Sequence, residues 1–151
     1  LLQQVVGRFR PELGPIQVEM DLARDLPPVR ADPSQLEQVL EHLLRNAGQA
    51  IGEGGGYLTL CTFCREDPST PEGRWVGLEV GDSGPGIAPE ILPHIFDPFF
   101  TTRREAGRSG LGLAVCHSIV GQHGGRIWAE SEPGRGARFF LELPAWTPEE
   151  K

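Results

Sequence analysis

Apolar and polar residues alternate in two rhythms along the chain, and each rhythm predicts a different kind of element. Period-two alternation predicts a half-buried strand over residues 16–22 and further strands over 57–64 and 74–81. The same alternation predicts a closing hairpin built from residues 126–131 and 137–143. These segments supply the strands of one sheet.

Helical spacing of apolar residues predicts three helices between the strands. The first covers residues 1–12 and is broken by Pro11 and by the glycine three residues later. The second follows Asp32, a favourable N-cap, and continues to about residue 51, while the third covers about 111–123. This mixture favours an α/β fold, with helices on one face of a sheet whose other face is partly open.

Length and charge limit the possible functions. The 151 residues suit one domain with a real core, and the formal net charge of −7 excludes a sequence-independent nucleic-acid binder, which needs a basic surface. No apolar run approaches the roughly 20 residues of a membrane span, and no signal peptide is recognisable, so we expect a cytoplasmic domain without membrane contact. Because no Met opens the chain, we expect a fragment of a longer protein.

The three cysteines, Cys61, Cys64 and Cys116, do not form a disulfide framework. Cys61 and Cys64 have the spacing of metal ligands, but residues three apart on a strand point to opposite faces. Zinc sites of this type also use a second pair of ligands, which the sequence lacks. We therefore expect no zinc site.

The second helix has a polar flank beside its apolar stripe. Gln35, His42, Asn46 and Gln49 lie on this flank, where polar groups can contact a ligand while half shielded from water. Asn46 alone is more simply explained as a buried amide bonded to backbone. Its alignment with the other three side chains favours a ligand site.

A first glycine cluster, at residues 82–87, follows a strand whose apolar side chains share a face with Asp82. An ionised carboxylate only accepts hydrogen bonds, so Asp82 suits an amino group such as adenine N6. Gly84 and Gly86 would let a flat base approach the backbone. The alternative is that Asp82 only caps the turn before Gly84.

A second glycine cluster, at residues 107–113, opens the third helix, whose N-terminal N–H groups would bind phosphates with help from Arg108. Residues 88–109 are too long for a simple connection and predict a lid that could fold over the phosphates through Thr101–Arg103. The sequence has no Walker A loop, and the cluster follows a loop instead of a strand, which excludes a dinucleotide-binding fingerprint.

Together these motifs resemble the catalytic ATP-binding domain of bacterial sensor histidine kinases, in the superfamily shared with gyrase, Hsp90 and MutL. The resemblance covers about residues 16–144. The N, G1, F and G2 boxes of that family resemble, in turn, residues 38–47, 82–86, 96–102 and 107–113. The F box and the helix after the G2 box look closest to the nitrogen-regulation type of sensor kinase.

The resemblance implies a Bergerat fold, which is a two-layer α/β sandwich of a mixed, mostly antiparallel sheet with about three helices on one face. It implies one catalytic domain over residues 1–151 that binds ATP and Mg²⁺. Asn46 stands at the Mg²⁺ position, with His42 as a further candidate metal ligand or catalytic group, and Asp82 stands at the adenine position. The other implied ATP-binding residues are Gln49, Gly84, Gly86, Ile87, Thr101, Thr102, Arg103, Arg108, Ser109, Gly110, Leu111, Gly112 and Leu113.

Three positions depart from the family's pattern. His42 stands where these kinases usually have Asn, and because Mg²⁺ prefers oxygen ligands, we hypothesise weaker or pH-dependent nucleotide binding. An ATP affinity that stays constant between about pH 6 and pH 8 would exclude that hypothesis. Ala137 replaces a frequent Thr, with little expected effect, and Arg103 replaces Lys, which keeps the charge but changes the geometry.

The phosphoacceptor is the part that the sequence lacks. None of the four histidines (His42, His94, His117 and His123) precedes the acidic residue and Pro-Leu pattern of a phosphoacceptor helix. We therefore expect a domain that does not phosphorylate itself. We also expect the isolated domain to be a monomer. The resemblance implies that the γ-phosphoryl group passes to a dimerisation and phosphoacceptor domain of the same kinase, with a response regulator as an indirect partner.

Three other interpretations stay open. An ATP-hydrolysing clamp of the gyrase or Hsp90 type would use Glu where this chain has His42. A nucleotide-binding module without kinase activity is compatible with His42. A serine kinase acting on a protein partner such as an anti-sigma factor is disfavoured by the nitrogen-type F box.

Overall fold

A mixed five-stranded sheet forms one layer of the molecule in this computed structural model, which describes residues 1–52, 54–71, 73–98 and 112–146. Its strands are β1 (Gln17–Asp21), β2 (Tyr57–Asp67), β3 (Gly73–Asp82), β4 (Arg126–Ser131) and β5 (Ala137–Pro144). They lie in the order β1-β2-β3-β5-β4, with β1 parallel to β2 and the other neighbours antiparallel. The predicted mixed, mostly antiparallel sheet is confirmed.

Within the described ranges, three α-helices form the second layer: α1 (Leu2–Leu13), α2 (Pro33–Ile51) and α3 (Gly112–Gln122). The start of α2 is as predicted, because the Asp32 side chain accepts hydrogen bonds from the N–H groups of Ser34 and Gln35, at 2.9 and 3.4 Å. The predicted break of α1 at Pro11 is wrong. Pro11 lies in the last turn, and the helix ends before Gly14, which has a φ of 58°.

The core lies between the helices and the sheet. Leu43 and Ala47 of α2 are buried in the same cluster as Leu60 of β2 and Phe139 of β5. The strand alternation predicted from the sequence therefore identifies the buried face. Met20 is an exception with 38% of its surface exposed, because β1 is an edge strand.

The opposite face of the sheet carries a layer of its own side chains. Glu142 of β5 is almost completely buried there, and its two oxygens accept hydrogen bonds from the Arg65 guanidinium at 2.8 and 2.9 Å. These hydrogen bonds raise the pKa of Arg65 and satisfy a carboxylate that burial alone would disfavour. Nearby, the Arg126 guanidinium carbon lies 4.5 Å from the Trp75 ring centroid.

None of the helices that the structure describes is long and apolar enough to cross a membrane.

The cysteines are expected to react with iodoacetamide in the order Cys64, Cys61, Cys116. Burial raises the pKa of Cys116 to about 12, and burial together with the charges of Glu79 and Asp21 raises the pKa of Cys61. Cys64 is exposed. Because only the thiolate reacts, a raised pKa slows alkylation at ~pH 8. Peptide mass spectrometry measures the order of alkylation. All three cysteines should react in urea, whereas equal alkylation rates in the folded chain would contradict the expectation.

Candidate functional site

Asp82 ends β3 and is buried beneath the first glycine cluster, with 9% of its surface exposed. Its Oδ1 atom accepts hydrogen bonds from the backbone N–H groups of Gly84, at 2.9 Å, and Ala137, at 3.3 Å. The alternative interpretation is therefore confirmed in one respect: Asp82 caps the turn before Gly84. A carboxylate accepts about four hydrogen bonds, so the cap leaves a ligand-binding role open.

The loop after β3 is held against the hairpin between β4 and β5. The Ser131 hydroxyl accepts a hydrogen bond from the Ile87 N–H at 2.7 Å and donates one to the Gly136 carbonyl at 2.9 Å. A Cβ atom at Gly86 would lie 2.6 Å from the Glu132 carbonyl oxygen, so only glycine allows this close approach. The loop therefore forms a fixed surface beside Asp82.

Helix α2 borders both glycine clusters. A Cβ atom at Gly84 would lie 2.6 Å from the Ala50 carbonyl oxygen, and a Cβ atom at Gly112 would overlap the His42 ring. His42 and Ala50 are eight residues apart, which is about 12 Å along the helix at about 1.5 Å per residue. Asn46 lies halfway between them and is half-buried. One edge of α2 therefore contacts both the loop after β3 and the start of α3.

Among the described residues of the predicted site, Gly84 and Gly112 contact this edge of α2, whereas Gly86 and Ile87 contact the hairpin between β4 and β5. Gly84, Gly86, Ile87 and Leu113 are half-buried, whereas Gln49 is exposed. Seven predicted residues lie outside the described ranges: Thr101, Thr102, Arg103, Arg108, Ser109, Gly110 and Leu111. The roles of all these residues in ATP binding stay predictions.

The sequence did not point to Ser131 and Gly136, which hold the loop after β3 in place. The only local signal was a serine at the end of a strand beside a Pro-Gly turn, and such a serine is common in ordinary turns. Ala137 also supports the candidate site, although its side chain is small, because its backbone N–H donates a hydrogen bond to Asp82. A backbone contribution of this kind does not depend on residue type.

Replacing Gly112 with Ala is expected to destabilise the chain by about 1–3 kcal/mol, since the new methyl group must displace the His42 ring. The double variant His42→Ala/Gly112→Ala should recover most of that loss, because the obstacle is a side chain. Gly121→Ala is the matched control in α3, where nothing lies within 4 Å of the new Cβ. Urea unfolding compares these three variants and His42→Ala alone with the wild type; additive effects of the His42 and Gly112 substitutions would contradict the contact between the two residues.

The residue types on α2 permit a metal only in combination with further oxygen ligands. Among the described residues, no group of three His, Cys, Asp or Glu side chains could hold a metal ion. Asn46 offers a neutral amide oxygen, which suits Mg²⁺, an ion that usually takes one or two protein ligands together with waters and phosphate oxygens. The donor set therefore fits a magnesium–nucleotide complex, and the contact between His42 and Gly112 puts this part of α2 against the start of α3.

Comparison with known proteins identifies the family. Residues 31–147 match the family described as histidine kinase-, DNA gyrase B- and HSP90-like ATPases. The chain belongs to this ATPase family. Among its relatives, the sensor kinase CckA of Brucella abortus (strain 2308) is 39% identical over 161 residues, which cover 100% of this chain and 16% of that protein. The sensor histidine kinase ZraS of Escherichia coli (strain K12) is 44% identical over 129 residues, or 85% and 26% of the two chains.

Solved structures place this ATPase domain among histidine kinase catalytic domains. The catalytic domain of the histidine kinase ThkA superposes with a TM-score of 0.79 at 33% identity, covering 99% of this chain and 93% of that one. Full-length ShkA in complex with AMPPNP gives 0.78 at 30% identity, covering 97% and 29%. The chain spans about one sixth to one quarter of the length of the curated relatives described above. It is therefore homologous to the ATPase domain of sensor histidine kinases, and the nitrogen-regulation type stays a prediction.

Proposed function

We propose that this chain binds ATP with Mg²⁺ and donates the γ-phosphoryl group to a histidine of a separate dimerisation domain of the same kinase, in two-component signal transduction. The observation that carries the proposal is the edge of α2, which meets Gly84 at one end and Gly112 about 12 Å further along. Membership of a family that includes sensor histidine kinases supports the transfer to histidine.

Adenine would lie against the first glycine cluster. Asp82, held by two backbone N–H groups, would accept a hydrogen bond from the adenine amino group. A guanine would present a carbonyl oxygen at that position, and the carboxylate would repel it. Gly84 and Gly86 let this loop pack closely on α2 and on the hairpin, which would hold the loop beside the base, and the half-buried Ile87 would add an apolar contact.

The phosphates would lie at the start of α3. Gly112 and Leu113 would offer backbone N–H groups there, because the first turn of a helix has donors without partners in the helix. Asn46, with His42 as a further candidate ligand, would hold Mg²⁺, which when bound neutralises charge on the phosphates. Gln49 would contact the nucleotide. The proposed lid and phosphate residues from the sequence are Thr101, Thr102, Arg103, Arg108, Ser109, Gly110 and Leu111.

The chain's part in the transfer would be positioning and charge stabilisation. A nitrogen of the acceptor histidine would attack the γ-phosphorus, the bond between that phosphorus and the bridging oxygen would break, and ADP would leave. The acceptor lies outside residues 1–151. We further propose one monomeric catalytic domain acting in the cytoplasm, without nucleic-acid or membrane contact, with a response regulator as the later recipient of the phosphoryl group.

The test mixes the chain with the phosphoacceptor domain of its own kinase and γ-labelled ATP with Mg²⁺. Phosphohistidine is expected on the acceptor domain only, and it should be lost with Asp82→Asn and with Asn46→Asp. Label on this chain alone would contradict the expectation that the acceptor histidine lies on another domain. ATP binding without transfer would favour a nucleotide-binding module, and rapid ATP hydrolysis would favour a clamp of the gyrase or Hsp90 type.

A further inference from the structure

His123, the residue that follows α3, joins the end of that helix to the start of α2. Its ring is half-buried. The Nδ1 atom lies 2.8 Å from the carbonyl oxygen of Ile119, and the Nε2 atom lies 3.1 Å from the backbone nitrogen of Asp32, the N-cap of α2. The imidazole therefore bridges the two helices that form the proposed phosphate end of the site.

Both partners of the ring are backbone groups, so they determine which ring nitrogen carries the proton. A carbonyl oxygen only accepts a hydrogen bond, and a backbone N–H only donates one. Nδ1–H therefore donates to Ile119, while Nε2 accepts from Asp32. This is the neutral ring with its proton on Nδ1, and both nitrogens are used.

The contact at His123 is one of two that fix how far along α2 the helix α3 lies. The other is the contact between His42 and Gly112 at the opposite end of α3. Asp32 and His42 are ten residues apart and Gly112 and His123 are eleven, which at about 1.5 Å per residue gives about 15 and about 17 Å. The two helices are therefore antiparallel, with two contacts at matching separations.

Apolar burial alone fixes this axial position only weakly. Cys116, Ile119 and Val120 are buried and hold α3 against the core, but the hydrophobic effect is non-directional. A shift of α3 along α2 would move the N–H groups of its first turn relative to Asn46. The hydrogen bond that His123 accepts is directional and opposes such a shift.

We propose that His123 is a positioning residue for the nucleotide: by accepting from the Asp32 N–H, its Nε2 atom sets the distance between the start of α3 and the edge of α2 that carries Asn46. The inference rests on the proposed function, because the phosphates of ATP would meet both helices. Asp82, at the base end, is held by two N–H groups outside α3. Loss of the bond should therefore weaken phosphate binding and leave binding of the base unchanged.

The variants His123→Asn and His123→Gln distinguish this role from a purely structural one. The Asn side chain can keep only the hydrogen bond to Ile119, whereas the longer Gln side chain can place its oxygen near the position of Nε2 and accept from Asp32. Each variant loses one hydrogen bond, so the two should unfold at similar temperatures. AMPPNP with Mg²⁺ should bind about 3- to 10-fold more weakly to His123→Asn and with wild-type affinity to His123→Gln, which restores the bond to α2. His117→Gln, at an exposed histidine of α3, is the matched control and should equal the wild type.

Adenosine, which has the base without phosphates, tests where the weakening occurs. Its affinity, measured by titration in nuclear magnetic resonance spectra, should be the same in the wild type and in all three variants. The ¹⁵N chemical shifts of the wild-type His123 ring provide a readout that requires neither a variant nor a nucleotide. They should place the proton on Nδ1 at the pH of the binding measurements; a proton on Nε2 would overturn the inference.

The outcomes separate the inference from the function on which it rests. Equal AMPPNP affinities of His123→Asn and His123→Gln, or equal weakening of AMPPNP and adenosine, would overturn the inference while ATP binding stands. AMPPNP that does not bind the wild type would overturn the proposed function and the inference with it. Weakening of AMPPNP alone in His123→Asn, recovered in His123→Gln, supports the inference.

Discussion

Replacing Asp82 with Asn is expected to weaken ATP binding by about 10- to 100-fold, because hydrogen bonds to a charged group contribute roughly 1.5–3 kcal/mol. The fold should survive. The asparagine carbonyl can still accept the hydrogen bonds that Gly84 and Ala137 donate to Oδ1. What changes is the charge that, in the proposed site, would face the adenine amino group. Calorimetric titration with ATP measures the affinity, and thermal unfolding measures the stability.

Glu79→Gln is the matched control for this prediction. It removes the same charge from the same strand, but Glu79 lies three residues earlier on the other face of β3, beside Cys61. Its ATP affinity should equal that of the wild type. If Asp82→Asn and Glu79→Gln bind ATP equally well, Asp82 does not hold the base.

Replacing Gly136 with Ala is expected to destabilise the chain by more than about 3 kcal/mol, which lies beyond the roughly 0.5–3 kcal/mol of most single substitutions. Gly136 has a φ of 81°, and a Cβ atom there would overlap the carbonyl oxygen of Asp82. The obstacle is backbone, which cannot turn aside as a side chain can. Because the strain falls on Asp82, the folded fraction should also bind ATP more weakly.

Gly134 offers a control in the same hairpin. Its φ is 83°, but nothing lies within 4 Å of a Cβ atom placed there. Gly134→Ala should therefore show only the backbone strain of about 1 kcal/mol. Urea unfolding compares the two variants. Equal losses would mean that the contact between Gly136 and Asp82 does not limit the packing of this hairpin.

The elements of the fold were largely predictable because their signals are local. Asp32 and the proline after it determine where α2 begins, through a cap and a fixed φ that require no distant partner. Alternation located all five strands, although β2 continues to Asp67, three residues beyond its predicted end. Pro11 misled the prediction because a proline near a helix end disturbs the backbone less than one in its middle.

The contacts that shape the candidate site could not be read in the same way. The hydrogen bond from Ala137 to Asp82 spans 55 residues, and the bond from Ile87 to Ser131 spans 44. Periodicity says which face of an element is buried but not which distant segment meets it. The motif resemblance named Asp82 and Asn46, whereas the supporting hairpin required the three-dimensional arrangement.

Titration of the folded chain with ATP and with GTP, each with Mg²⁺, tests whether Asp82 selects adenine. We expect one ATP bound per chain and GTP binding at least about 10-fold weaker, because the carboxylate of Asp82 would accept a hydrogen bond from an amino group and repel a carbonyl oxygen. Equal affinities for the two nucleotides, or no binding of ATP, would contradict a site in which Asp82 holds the base and the start of α3 holds the phosphates.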